Sequence, residues 1–172
     1  MTYGIFESTN ITGRNYSFVG AINLENGMLV HKGDLVAGSK DVYEAVIPTT
    51  ATLATNPVYV VGNPAWNYDT TSIMKQNEDN YIVKAGTVFR GYGLEKTDKF
   101  GVADYGISGT PVVGQYVGVE SGTAKLVASA TEPTTAFVGK VIQITDMGYV
   151  PFVGQAVDQQ AKKVRIEVVK NG

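Results

Sequence analysis

The chain has 172 residues, of which 44% are hydrophobic and 17% charged, with a net charge of −2, one histidine and no cysteine. That composition rules out a disulfide or thiolate–metal staple and leaves no second imidazole to complete a histidine metal pair. It also weighs against nucleic acid as the main partner, because no basic run is longer than Lys162-Lys163. A chain of this length buries roughly 70% of its extended surface on folding, so an apolar core must hold one domain or two small β modules. Charged residues fall below the usual ~25%, which calls for a surface rich in Thr, Asn, Gln and Ser, or one partly covered by another protein.

In chain order, residues 1–14 read as a possible N-terminal arm. Tyr3, Ile5 and Phe6 form an apolar tip ahead of the polar stem Ser8-Thr9-Asn10-Ile11-Thr12-Gly13-Arg14. Such a tip suits a partner's groove or a sheet edge. The competing reading is a first strand of the domain itself. If the arm reading holds, removing residues 1–8 weakens partner binding more than folding. The start lacks the basic residues and apolar block of a signal peptide, so a protein made and kept without secretion is expected. Asn10-Ile11-Thr12 and Asn15-Tyr16-Ser17 match the glycosylation pattern by chance in that setting.

Residues 15–172 read as a single β domain, with a change of β unit possible in 70–85. Strands are expected at 16–22, 28–31, 34–37, 42–47, 58–62, 87–95, 99–103, 116–120, 125–128, 137–145 and 164–169. Each is rich in Val, Ile, Tyr or Phe and bounded by Gly, Pro, Asn or Asp. In 87–95, Phe89 shares a face with Gly91 and Gly93, which leaves room for a neighbouring ring or backbone. Residues 137–145 are apolar on both parities, as a strand covered on both sides would be. Val164, Ile166 and Val168 alternate with Arg165 and Glu167, a half-buried pattern of period two. Helical periodicity is weak everywhere, and the best helix candidate is Gln155–Lys163. A loose echo places glycine between short apolar pieces at Gly33, Gly86 and Gly114, each read as a corner between strands. The fold class expected is all-β: a barrel or sandwich of about ten short antiparallel strands with little helix.

Motifs for chemistry are sparse. His31 reads as a surface or strand-end residue; Asp34 could orient it, but no serine elbow accompanies it. Gly106-Ile107-Ser108-Gly109 is one residue short of that elbow, and Gly91-Tyr92-Gly93 lacks the third glycine and the helix of a nucleotide loop. Carboxylate pairs such as Asp98 with Asp104, or Glu78 with Asp79, keep a carbohydrate-active enzyme open as one alternative. No calcium-loop spacing is present. No catalytic residue, metal ligand or cofactor site is therefore assigned. Trp66 and Tyr68, on a turn-rich loop, are candidate contacts for a partner or a sugar, balanced against a role in capping the core.

The order of phrases carries a resemblance. Gly4-Ile5-Phe6-Glu7 precedes Phe18-Val19-Gly20-Ala21-Ile22-Asn23-Leu24-Glu25-Asn26-Gly27 and Lys32-Gly33-Asp34-Leu35-Val36. Ala85-Gly86-Thr87-Val88-Phe89-Arg90-Gly91-Tyr92, Phe100-Gly101-Val102-Ala103 and Lys163-Val164-Arg165-Ile166-Glu167-Val168 follow. This arrangement resembles the small capsid decoration, or head-auxiliary, proteins of tailed bacteriophages of Gram-positive hosts. The resemblance implies a noncatalytic virion structural protein, made in the host bacterial cytoplasm, that binds the capsid exterior and reinforces contacts between major capsid subunits. It implies a homo-oligomer, a trimer being the first expectation although the residues do not select it, with no nucleic-acid or membrane partner. The runner-up is a phage receptor- or carbohydrate-binding β module using Trp66 and Tyr68.

Overall fold

A computed structural model describes residues 4–64, 81–146 and 162–172. Twelve strands occupy these residues: β1 (Phe6–Asn10), β2 (Asn15–Gly20), β3 (Leu29–Leu35), β4 (Val42–Val46), β5 (Val58–Val61), β6 (Val88–Gly93), β7 (Lys99–Ala103), β8 (Ile107–Ser108), β9 (Tyr116–Val119), β10 (Leu126–Ser129), β11 (Phe137–Asp146) and β12 (Lys162–Asn171). A single turn of helix, α1 (Thr50–Leu53), joins β4 to β5. The protein is all-β, as its composition requires. Five strands close into a barrel in the order β2-β4-β3-β5-β6, and seven form a sheet in the order β1-β7-β12-β11-β9-β10-β8. Most pairings are antiparallel, but β2 with β4 and β8 with β10 run parallel.

The barrel is filled by side chains. Phe18, Leu24, Val30, Val61, Val83 and Phe89 are buried within it, and Tyr16, Tyr43 and Tyr59 pack partly against them. Phe18 lies against the backbone of β6, where a side chain on Gly91 would collide with its ring, and Gly93 is pressed against the carbonyl of Arg14. The expected space beside Phe89 is thus taken by one aromatic ring and one stretch of main chain. The second core lies between the barrel and the sheet. Leu29, Val58 and Val60 point outward from β3 and β5 to meet Phe100, Val102, Val117, Phe137, Val164 and Ile166 of the sheet. Each such residue contributes about 1.5–3 kcal/mol by leaving water, so this contact fixes which wall of the barrel is covered.

Polar side chains tie the two units together. Asp98, 1% exposed, accepts hydrogen bonds from Thr12 N (3.1 Å) and Thr12 Oγ1 (2.7 Å) on the β1–β2 connection and from Glu95 N (2.8 Å) after β6. Its own carbonyl accepts from Val168 N of β12 (2.8 Å). At the end of β12, the Asn171 side chain accepts from Val58 N (2.8 Å) and donates to Val58 O and Leu94 O, both at 3.0 Å. An amide here takes the place of a missing strand partner.

Several expectations change. Ile5 is 8% exposed, and the Phe6 ring sits 5.1 Å from Tyr92 and 6.2 Å from Phe100. β1 pairs with β7, so these two residues belong to the sheet and its core rather than to a projecting tip. Gly33 is no corner: β3 runs through it with a bulge opposite β4. The turn of the echo falls instead at Gly27, where φ is +85°, matching Gly86 (+76°) and Gly114 (+90°); in each case a strand starts two residues later. A backbone of that sign excludes most side chains at little cost to glycine. β12 shows the alternation read from it, with Val164, Ile166 and Val168 buried. β11 is buried on both parities only over Phe137–Gly139, because bulges beyond Val138 and Val141 break its alternation. Of the helix expected at Gln155–Lys163, Lys162 and Lys163 stand in β12, extended, and the rest lies outside the described residues.

Two outcomes follow for stability. Deleting residues 1–8 removes the Phe6 packing, the β1 pairing and the Lys163–Glu7 ion pair, so it should cost at least the ~3 kcal/mol of a buried-Phe truncation and lower the thermal midpoint by roughly 6–12 °C. A midpoint unchanged by calorimetry refutes this. Asp98→Ala strands several buried donors and should cost about 3–5 kcal/mol in urea denaturation, whereas Asp98→Asn, which keeps the shape, should cost less.

Candidate functional site

With β3 and β5 facing the sheet, the outer surfaces of β2, β4 and the first half of β6 are turned away from it, while Tyr92 further along β6 packs on Phe6. Along β2, Phe18 points into the barrel and Val19 therefore points out; the same parity puts Val88 of β6 and Val46 of β4 on the outside. Val88 pairs directly with Val19. Ile22, just past β2, is 53% exposed, Val88 is 53% and Val46 is 40%. Between the diverging ends of β2 and β4 runs an open groove of about 470 Å³, lined by Val19, Ile22, Glu44, Val46 and Ile47 among others. Aliphatic side chains on a solvent-facing sheet surface cost free energy unless something covers them, and a contiguous patch of them marks interaction surfaces. Glu44 and Arg90, exposed on the same strands, supply charges of both signs beside the patch.

The opposite end of the barrel is closed by tyrosines. Tyr16 stands edge-on to Tyr43 (5.7 Å, 88°) and to Tyr59 (5.5 Å, 90°), and Tyr59 packs on Phe18 at 5.4 Å. The Lys32 ammonium lies 4.2 Å from the Tyr16 ring centre and 3.8 Å from that of Tyr43, a double cation–π contact. Beside this cluster, a cleft of about 310 Å³ is bounded by Arg14, Tyr16, Pro57, Tyr59 and Glu95. Burial raises the Tyr59 hydroxyl above its usual value of 10.0, and the neighbouring Tyr16 and Glu95 add to the shift.

The residues singled out from sequence are distributed as follows. Ile5 is buried and Phe6 is partly buried against the sheet core, and neither reaches the aliphatic face. Tyr3, Trp66 and Tyr68 lie outside the described residues, as do Glu78 and Asp79. His31 is not on the surface: it is 2% exposed in mid-strand, with Nδ1 3.0 Å from the Pro57 carbonyl. A carbonyl only accepts, so Nδ1 carries the proton, and the buried Nε2 has no hydrogen-bond partner among the described residues. Its ring is held by that carbonyl and not by Asp34. Asp98 is committed to the hydrogen bonds given above, and Asp104 bonds the adjacent Tyr105 N at 2.9 Å. Glu120 is held below the usual carboxylate range by the hydroxyls of Thr123 and Ser108, which makes it a turn clasp. Among the described residues no group of three acidic or imidazole side chains could hold a metal ion, and no helix is long and apolar enough to cross a membrane.

Sequence reasoning passed over Val19, Ile22, Val46 and Val88 because each sits in a strand with a legitimate buried face. The available signal was the surplus: 16–22 and 42–47 carry apolar residues on both parities. Compared with known proteins, the chain matches no family model, no curated protein and no solved structure.

The Tyr59 shift has a signed consequence. Its folded-state pKa is raised, so the neutral phenol contributes stability in full below pH 10 and loses it as pH rises through the folded value, since the unfolded chain ionises first. Urea midpoints measured from pH 8 to pH 11 should therefore fall more steeply for the unaltered protein than for Tyr59→Phe; parallel slopes reject the assignment.

Proposed function

We propose that this protein is a noncatalytic adhesion module that docks through the aliphatic outer face of β6, β2 and β4, and that its partner is the exterior of an assembled phage capsid. The observation that carries the docking surface is the cluster of Val19, Ile22, Val46 and Val88 beside an open groove, on the barrel wall turned away from the sheet. The capsid as partner rests on the resemblance between the ordered phrases of the chain and those of capsid decoration proteins. The two fit each other: reinforcement of a lattice needs a rigid body and an apolar contact, and no titrating group.

A copy attached in this way bridges neighbouring major capsid subunits on the virion exterior. Modest affinity at each contact is sufficient, because engagement with linked subunits raises the effective concentration of the second contact. A homo-oligomer, with a trimer as its first form, would multiply that gain. The alternative of a carbohydrate-active enzyme with paired carboxylates draws nothing from Asp98, whose carboxylate is enclosed and fully occupied.

The test is co-sedimentation with undecorated heads. Val46→Glu combined with Val88→Glu alters two exposed positions, so stability should stay within about 0.5 kcal/mol per site. Attachment should weaken at least about tenfold, the loss of roughly 1.4 kcal/mol of apolar contact. If the double variant pellets with heads as the unaltered protein does, the docking face is wrong. If neither pellets, the partner is wrong.

A further inference from the structure

The cleft beside the tyrosine-closed end of the barrel lies away from the aliphatic face, and its chemistry is different. We propose that this cleft binds a neutral saccharide of one or two rings, an activity independent of capsid docking.

Three features converge. Tyr16 and Tyr59, both partly buried, line the cleft, and their positions are fixed by edge-to-face packing at 5.5 Å and by Phe18 behind Tyr59. A rigid aromatic wall provides apolar area for the C–H face of a pyranose without an ordering cost on binding. Arg14 and Glu95 are both exposed, and their side chains make no hydrogen bond or ion pair with any described residue. A planar array of donors and a carboxylate acceptor thus stand free around that wall, and vicinal hydroxyls, which donate and accept at once, pair with both. The cleft, at about 310 Å³, falls at the lower end of the range for small-ligand sites, ~300–1,000 Å³.

Charge decides the ligand class. A carboxylate- or phosphate-bearing ligand would meet Glu95, and a cationic one would meet Arg14, with Lys32 already seated between Tyr16 and Tyr43. A neutral polyol satisfies both side chains without repulsion from either. The polar partners of an apolar protein segment would be fewer and less evenly spread along the wall. The open shape sets weak binding, about millimolar, which copies arrayed on one particle would strengthen.

The experiment is saturation-transfer NMR on the full chain with maltose, cellobiose, lactose and N,N′-diacetylchitobiose at about 10 mM, a concentration above the expected dissociation constant. Digalacturonate and glucosamine serve as charged comparisons. At least one neutral disaccharide should receive saturation and shift the ring resonances of Tyr16 and Tyr59. Arg14→Ala and Glu95→Gln, both surface changes, should each weaken that binding about tenfold with unchanged thermal midpoints. No neutral disaccharide bound, a preference for either charged sugar, or full binding retained by either variant overturns the proposal. Should a variant fail to fold, the Tyr16 and Tyr59 resonances of the unaltered chain decide: shifts support the site and their absence refutes it. Head sedimentation with Val46→Glu/Val88→Glu reads the other surface, so the two proposals fail separately.

Discussion

The carboxylate of Asp98 is the point at which the barrel, the sheet and the connection between them meet. Its side chain gathers donors from residues 12, 13 and 95, and its main chain accepts from β12. A buried anion is tolerated only when its lone pairs are filled, so the loop after β1 must lie where it does. The same turn holds Thr97 at φ +77°, a conformation a β-branched residue adopts only under constraint. The Thr97 N–H, bonded to Val168 O at 2.9 Å, supplies part of that constraint. Strain and a saturated carboxylate sit on adjacent residues, and the second holds the first in place.

From that junction the division of surfaces follows. Once β12 is tied to the turn after β6, Leu29, Val58 and Val60 must face the sheet, and the opposite wall of the barrel must face water. The aliphatic residues on that wall have no counterpart among the described residues. The tyrosine-lined cleft arises at the seam itself, between the starts of β2 and β5, the end of β6, and Asn171. One surface is apolar and broad, the other polar and concave; they suit different partners.

How much of this was legible in the chain depends on range. Period-two alternation in β12 and the small residues on the same face as Phe89 are local, and both read correctly. β1 stayed open between an arm and a first strand because its apolar content ends at Phe6 and Glu7-Ser8-Thr9-Asn10 looks like a stem; its pairing with β7, from Phe6 with Val102 onward, lies far outside any local window. β8 has two residues, too few for any periodicity. Gly33 read as a corner, and cross-strand pairing with β4, which no local window contains, makes it part of a bulge instead. His31 is buried because β3 is covered on its outer face by a second sheet, a tertiary fact that composition does not encode. The candidate surfaces were legible only as excess: apolar residues beyond what one buried face per strand can use, and a run of tyrosines with no assigned purpose.

Closure of the barrel has an effect on recognition. All five of its strands find neighbours on both sides, so the wall bearing Val19, Val46 and Val88 offers no free main-chain ladder. Anything that rests there is read by contour and by the flanking charges of Glu44 and Arg90, not by main-chain pairing. Such a seat tolerates small lateral slip, which suits attachment to lattice positions that are similar without being identical.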